Sequence, residues 1–262
     1  MNKHFTIKFS RKKGRIVKRI DSNSSPRSKK TAISIGLIII SVFLLIAGII
    51  LLLIDPIKRY NRRKITDDAL KTLESKIAAT EPEVTDETME STAPEMTYVV
   101  PRNGNEVEGE AYDFIGETEE EEESYEEYVV LNSIGILQIS SINIRYPVWD
   151  EATQVSLRYG LGHYVDSVMP GEQGNATILG HNYRDGSMFQ RLGQVEVGDE
   201  VIFTTPEGED LYFYVVSSDI ISADELIDYA VADSSDEVQL TLVTCTYEYG
   251  MEGWRRVVIC RP

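Results

Sequence analysis

The 262-residue chain has only two cysteines, Cys245 and Cys260, and three histidines, of which His163 and His181 lie beyond the N-terminal segment. So few of either residue excludes a disulfide-rich scaffold and a Cys/His zinc module, both of which need several ligands at short spacing. Nor do the carboxylate-rich loops show the spacing of an EF-hand, so the sequence gives no support for a calcium site. Basic residues are scarce after residue 64: positions 65–128 hold 21 Asp or Glu against three Lys or Arg, and include the run Glu119–Glu123. Acidic runs repel phosphate, so nucleic acid is not an expected partner. Charge itself is missing from Ala32 to Ile54, 23 residues rich in Ile, Leu and Val.

A helix of that length would extend roughly 35 Å, enough to cross a bilayer core with some tilt. The run is too long for the apolar part of a cleaved signal peptide and leads straight into Asp55-Pro56, so it reads as an uncleaved signal anchor. Residues 1–30 carry eleven Lys or Arg and one acid, and Lys58–Lys64 carries five basic residues. The heavier cluster places the N-terminus in the cytoplasm and the C-terminal bulk outside. The acidic, apolar-poor stretch that follows reads as a solvated, disordered stalk, about 45 Å long as a relaxed coil. Four segments result: a basic cytoplasmic segment at 1–31, a transmembrane anchor at 32–54, a juxtamembrane segment and acidic extracellular stalk at 55–128, and a folded domain at 129–262.

That domain is patterned mostly as strands. Residues 134–144 read as two short strands joined at Ser140-Ser141, Thr177-Ile-Leu as another, and 200–204 with 211–216 as a hairpin around Pro206-Glu-Gly. Residues 238–245 and 256–260 are the last two strands. Helical signals are confined to 153–159, 188–192 and 223–229, so a small β barrel or sandwich is expected.

Two residues of chemical interest stand at strand ends. His181 follows Thr177-Ile-Leu-Gly180, and Cys245 follows Leu240-Thr-Leu-Val-Thr244 and opens onto a polar loop. A thiol nucleophile needs a nearby base and an electropositive setting. Thr177-Ile-Leu-Gly-His181, Thr241-Leu-Val-Thr-Cys245 and Arg256-Val-Val-Ile, in that order and spacing, resemble the three motifs of the sortase family. Tyr159-Gly-Leu-Gly-His-Tyr and Pro170-Gly-Glu-Gln-Gly-Asn-Ala-Thr resemble the segment before its histidine. The resemblance covers residues 133–262. Within the family, His181-Asn-Tyr-Arg-Asp-Gly-Ser-Met-Phe is similar to class B, whereas Gly162-His-Tyr through Pro170-Gly is similar to classes D and E.

The resemblance implies an eight-stranded barrel and a cysteine transpeptidase (thiol endopeptidase) with Cys245 as nucleophile, His181 as acid/base and Arg256 as the group that stabilises the oxyanion. It implies cleavage after Thr in a Leu-Pro-x-Thr-Gly-like sorting signal. Its partners would be surface proteins bearing such signals and an amine of a cell-wall precursor or another protein. No cofactor is required, although some family members bind calcium. Asp55-Pro56-Ile57 lacks the aromatic of the lid motif common in pilin-polymerising members, so wall anchoring is expected rather than pilus assembly. A catalytically silent binding module on an acidic stalk is the alternative. The Val243-Thr-Cys-Thr context argues against an L,D-transpeptidase, which carries Ser-x-Gly-Cys.

Of the adjacent arginines, parity alone does not choose: Arg255 aligns with Val257 and Ile259, and Arg256 with Val258 and Cys260, all apolar. The family's arginine immediately precedes its apolar strand, which selects Arg256. His163 is expected to be structural. Cys260 is expected to be a packed residue, roughly 13 Å along the strand from the site and beyond disulfide reach.

Overall fold

The computed structural model describes residues 27–79, 96–102, 128–231, 237–246 and 253–262, with side chains of the first helix described from Leu37. The chain divides into two compact units, Met1–Asp55 and Pro56–Pro262. Helix α1, Arg27–Ala78, contributes to both. In the first unit its residues from Leu37 to Ile54 are exposed or half-exposed and uncharged, and the helix is long and apolar enough to cross a membrane.

The second unit is a closed barrel. Strands β2 (Tyr128–Ile139), β3 (Ile144–Trp149), β4 (Leu161–His163), β5 (Gly174–Leu179), β6 (Glu200–Thr204), β7 (Asp210–Ser222), β8 (Val238–Thr246) and β9 (Trp254–Arg261) lie in the order β2-β3-β4-β5-β8-β9-β7-β6. The circle closes where Ile136, Leu137 and Gln138 of β2 pair with Thr204, Phe203 and Ile202 of β6. Eight strands are enough for side chains to fill the interior. Leu137, Ile139, Ile178, Phe203, Phe213, Leu240, Leu242 and Val258 do so, all nearly or fully buried. The short helices α2 (Gln154–Tyr159) and α3 (Leu226–Ala230), with 3-10 turns at Phe189–Gln194 and Ala223–Glu225, fall where the helical signals stood.

Two parts of the expected stalk are folded instead. Strand β1, Thr97–Pro101, pairs antiparallel with the first half of β2, in register Thr97↔Asn132 to Pro101↔Tyr128. The second half of β2 belongs to the barrel. The pairing slips at Ser133/Gly135, where Gly135 has φ 151 and an added Cβ would lie 2.4 Å from the Thr204 carbonyl oxygen, so only glycine fits the change of course. Helix α1 meanwhile continues to Ala78. Its Ala69 and Leu73 are fully buried against Val100, Leu131, Ile136, Trp149 and Tyr159. The physical reason is a narrow apolar stripe, Ile65, Ala69, Leu73 and Ile77, recurring at helical spacing inside an otherwise charged segment. Each buried leucine contributes about 2 kcal/mol, enough to favour docking over solvation. Lys76 donates to the Thr97 carbonyl at 3.0 Å, and Arg145 of β3 pairs with Glu74 at 2.8 Å. The remainder of the expected stalk, 80–95 and 103–127, lies outside the described residues, as does most of the basic segment 1–31.

Candidate active site

The site is built on three adjacent strands, and their register decides which side chains share it. In the parallel pair β5–β8, Leu179 stands beside Val243, and both pack on the outer face of the barrel with Leu157, Ile221 and Val257. Beyond Leu179 the two segments stay joined, since Thr244 Oγ1 donates to the Gly180 carbonyl and the Asn182 side-chain amide to the Cys245 carbonyl, so the residues flanking His181 lie along β8 at Cys245. In the antiparallel pair β8–β9, Cys245 stands directly opposite Arg255, and Thr244 opposite Arg256. Registered partners project to the same side of a sheet. Cys245 and Arg255 therefore share one face, and the segment carrying His181 borders it.

The selection of Arg256 is thereby corrected. Arg256 shares the parity of Val258 and Cys260, whose side chains fill the interior, and its Nη1 lies 3.3 Å from Ser218 Oγ and 3.4 Å from the Ser218 carbonyl oxygen of β7. Arg255 shares the parity of Val257 and Ile259 on the outer face and is only 2 % exposed. The register of β8 on β9, not the position of the apolar run, fixes which arginine stands opposite the cysteine.

The motif threonines have a structural account. Thr241 Oγ1 donates to Asn175 Oδ1 at 2.6 Å, within a buried polar cluster where Gln239 also donates to Asn175 and the Asn175 amide reaches the carbonyls of Tyr229 and Ala230. Thr244 Oγ1 donates to the Gly180 carbonyl at 2.7 Å. One threonine on each face thus ties β8 to β5 immediately before the cysteine. Gly180 is needed by close approach, since a Cβ there would meet Leu161 Cδ2 and Phe189 Cδ2 at 2.6 Å. Asn182 then donates to the Cys245 carbonyl at 2.7 Å, fixing the backbone on either side of both residues. The Gly-His and Thr-Cys pairs of the sequence are parts of a single seam.

His181 is 7 % exposed, with its ring centroid 4.9 Å from that of Tyr183. Burial, and then the positive fields of Arg62 and Arg158, push its imidazole down to about 4. It is uncharged at neutral pH and able to accept a proton. Its loop is closed by a bridge between Asn182 and Met188 and by the Phe189 amide donating to the His181 carbonyl at 2.9 Å. Met188, buried, holds a positive φ of 52 at this closure.

The two cysteines are free thiols. Cys245 is half-buried on the outer face, whereas Cys260 is fully buried inside, opposite Leu240, and burial pushes its thiol up to about 12. His163 belongs to a loop network, with Nε2 2.9 Å from the Val168 carbonyl oxygen and 3.1 Å from Ser167 Oγ. Among the described residues, no cluster of three or more His, Cys, Asp or Glu is placed to hold a metal ion.

Comparison with known proteins bears on the family of the barrel domain. Residues 137–262 match the family model described as Sortase domain. A curated relative, sortase D of Bacillus subtilis (strain 168), is 34% identical over 111 residues, 42% of this chain. The match spans 53% of that relative, about half its length. Similar solved structures include sortase A from Corynebacterium diphtheriae, at 26% identity and TM-score 0.45, covering 49% of this chain and 60% of that one. A Clostridium perfringens sortase D5 transpeptidase matches at 26% identity and TM-score 0.44, over 49% and 78% of the two chains. From its matched motifs and its family model, the barrel domain at residues 137–262 belongs to the sortase family.

Proposed function

We propose that the protein is a membrane-anchored cysteine transpeptidase that joins surface proteins to an amine acceptor of the cell wall. The observation that supports this reading is Cys245 opposite Arg255 in the β8–β9 register, with hydrogen bonds holding the residues that flank His181 against β8 at Cys245. A neutral imidazole beside a thiol accepts the thiol proton as sulfur attacks a carbonyl carbon. Cys245 Sγ would attack the carbonyl after Thr of a Leu-Pro-x-Thr-Gly-like signal. The C–N bond breaks, His181 passes the proton to the leaving amine, and a thioester remains on the enzyme. An incoming amine, deprotonated by His181, then breaks the C–S bond and restores the thiol. Arg255 would hold the developing oxyanion by charge-assisted hydrogen bonds.

The anchor is the apolar stretch of α1, oriented with residues 1–30 in the cytoplasm and the barrel outside, because the heavier basic cluster precedes the span. Substrates are surface proteins with C-terminal sorting signals, and the acceptor is a cell-wall precursor or protein amine. The reading involves no nucleic acid and requires no cofactor. Incubation with a library of sorting-signal peptides, followed by intact-mass spectrometry, tests it. A thioacyl adduct that maps to Cys245 and is released by an added amine is the expected result. Absence of any adduct, with the peptide bound intact, would make the domain a binding module instead.

A further inference from the structure

The docked part of α1 does not stop at the hydrophobic stripe. Arg62 lies on the same helix face as Thr66, Ala69 and Leu73, all three buried, and Thr66 Oγ1 donates back to the Arg62 carbonyl at 3.1 Å. Its side chain is 13% exposed and reaches the loop that follows His181. There the guanidinium carbon sits 3.6 Å from the centroid of the Tyr183 ring, and Nη2 donates to Asp185 Oδ2 at 2.7 Å. Asp185 is itself fixed by the Ser187 amide at 3.1 Å and the Ser187 hydroxyl at 2.5 Å. Burial alone would raise its carboxyl. The Ser187 hydrogen bonds with Arg62 and Arg63 outweigh that and hold it below the usual range. Arg63 adds a bond to the Asp185 carbonyl at 2.5 Å.

The far side of the Tyr183 ring's neighbourhood is the imidazole of His181. A continuous set of contacts thus runs from the helix through a guanidinium and an aromatic ring to the proposed acid/base. A cation stacked on a partly desolvated ring contributes about 1–2 kcal/mol, and a bidentate or charged hydrogen bond at the same group fixes its plane. Lysine, a point charge on a flexible stem, does not reproduce that plane.

We propose that Arg62 is a positioning residue of the active site: through Tyr183 and Asp185 it fixes the His181 ring and makes transfer depend on the docking of helix α1. This rests on the reading of His181 as the acid/base. The charged groups whose fields reach the His181 imidazole are Arg62 from α1 and Arg158 from α2, and Asp185 on the loop after His181 pairs with Arg62. Both arginines oppose protonation of the imidazole, so removing Arg62 eases it.

The test uses the full chain in nanodiscs, with the His181 imidazole followed by NMR across pH and peptide transfer measured in parallel. Arg62→Gln should raise the His181 midpoint by roughly half a pH unit or more. It should also lower kcat about tenfold with little change in KM, because a misplaced proton-transfer group slows chemistry more than binding. Arg62→Lys, which keeps the charge, should leave the midpoint near that of the wild type and recover only part of kcat. It also serves as the second variant if Arg62→Gln fails to fold. Arg145→Gln, which breaks the Glu74 pair on the same helix without touching the His181 loop, should move neither quantity. An unchanged midpoint and kcat in Arg62→Gln would overturn the proposal. Equal shifts in Arg145→Gln would do so too, by reducing Arg62 to part of general docking. The titration reads the contact whether or not the wild type transfers peptide, and transfer by Cys245 is decided separately by the adduct assay.

Discussion

The outer face and the interior of strands β8 and β9 are one residue apart and chemically opposite. Cys245 and Arg255 share the outward parity of Val243 and Val257, whereas Cys260 and Arg256 share the inward parity of Leu240, Leu242 and Val258. Each cysteine is the second-last residue of its strand, so the face it takes and the neighbours it meets separate the two. A thiol inside a filled barrel is a small apolar filler, held protonated by burial. The same group on the outer face stands opposite an arginine.

The contrast is broken most severely by Cys245→Ala, which should reduce transfer by about 10⁴-fold or more while the circular dichroism spectrum stays unchanged. Retained turnover would leave the site without a nucleophile. The arginines sharpen it next. Arg255→Ala should lose on the order of 3 kcal/mol of transition-state stabilisation, about a hundredfold in rate, and Arg256→Ala less than about tenfold. Steady-state kinetics on both variants ranks them, and the reverse order would shift the register of β9 by one residue.

A comparable effect on stability follows from His181. Its folded pKa, about 4, lies below the ordinary value near 6.5, so between those limits the unfolded chain binds a proton that the folded site refuses. Stability is fully present above about pH 6.5 and falls as pH drops through the window, by on the order of 3 kcal/mol. His181→Asn should lose less stability than the wild type between pH 7 and 4, read from urea midpoints at each pH. Parallel losses would show that the ring is not buried as described. The smallest effect is expected inside the barrel. Cys260→Ala should cost roughly 1 kcal/mol of stability and leave transfer intact, and iodoacetamide should label Cys245 in the native protein while sparing Cys260.

The alternating strands, the helical turns and the sortase motifs were legible in sequence because each is a local pattern or a motif at fixed spacing. The arginine was not. Its face depends on the register of β8 on β9, and an apolar run beginning at Val257 satisfies either parity. The docked helix was missed for a different reason. Averaged over residues 65–128, charge hides the four-residue stripe Ile65, Ala69, Leu73 and Ile77, although the stripe is visible at the scale of helical turns. Strand β1 has only five residues, ends on Pro101, and finds its partner across the acidic stretch. No local signal identifies a pairing at that separation.

The docking of α1 and β1 also bears on what a single break in the chain would do. The sequence from 103 to 127 joins β1 to β2, yet the attachment across that join is carried by non-covalent contacts of side chains and backbone. Leu73, Val100 and Leu131 share one apolar cluster, the backbones of β1 and β2 are hydrogen-bonded, and Tyr159 Oη donates to the Pro101 carbonyl at 3.1 Å. A protein cut in that acidic stretch is therefore a two-piece assembly rather than a freed barrel. Its halves should elute together in native buffer and separate only in denaturant, and a barrel expressed alone from Tyr128 should recover its missing wall from a separately supplied peptide spanning residues 56–102.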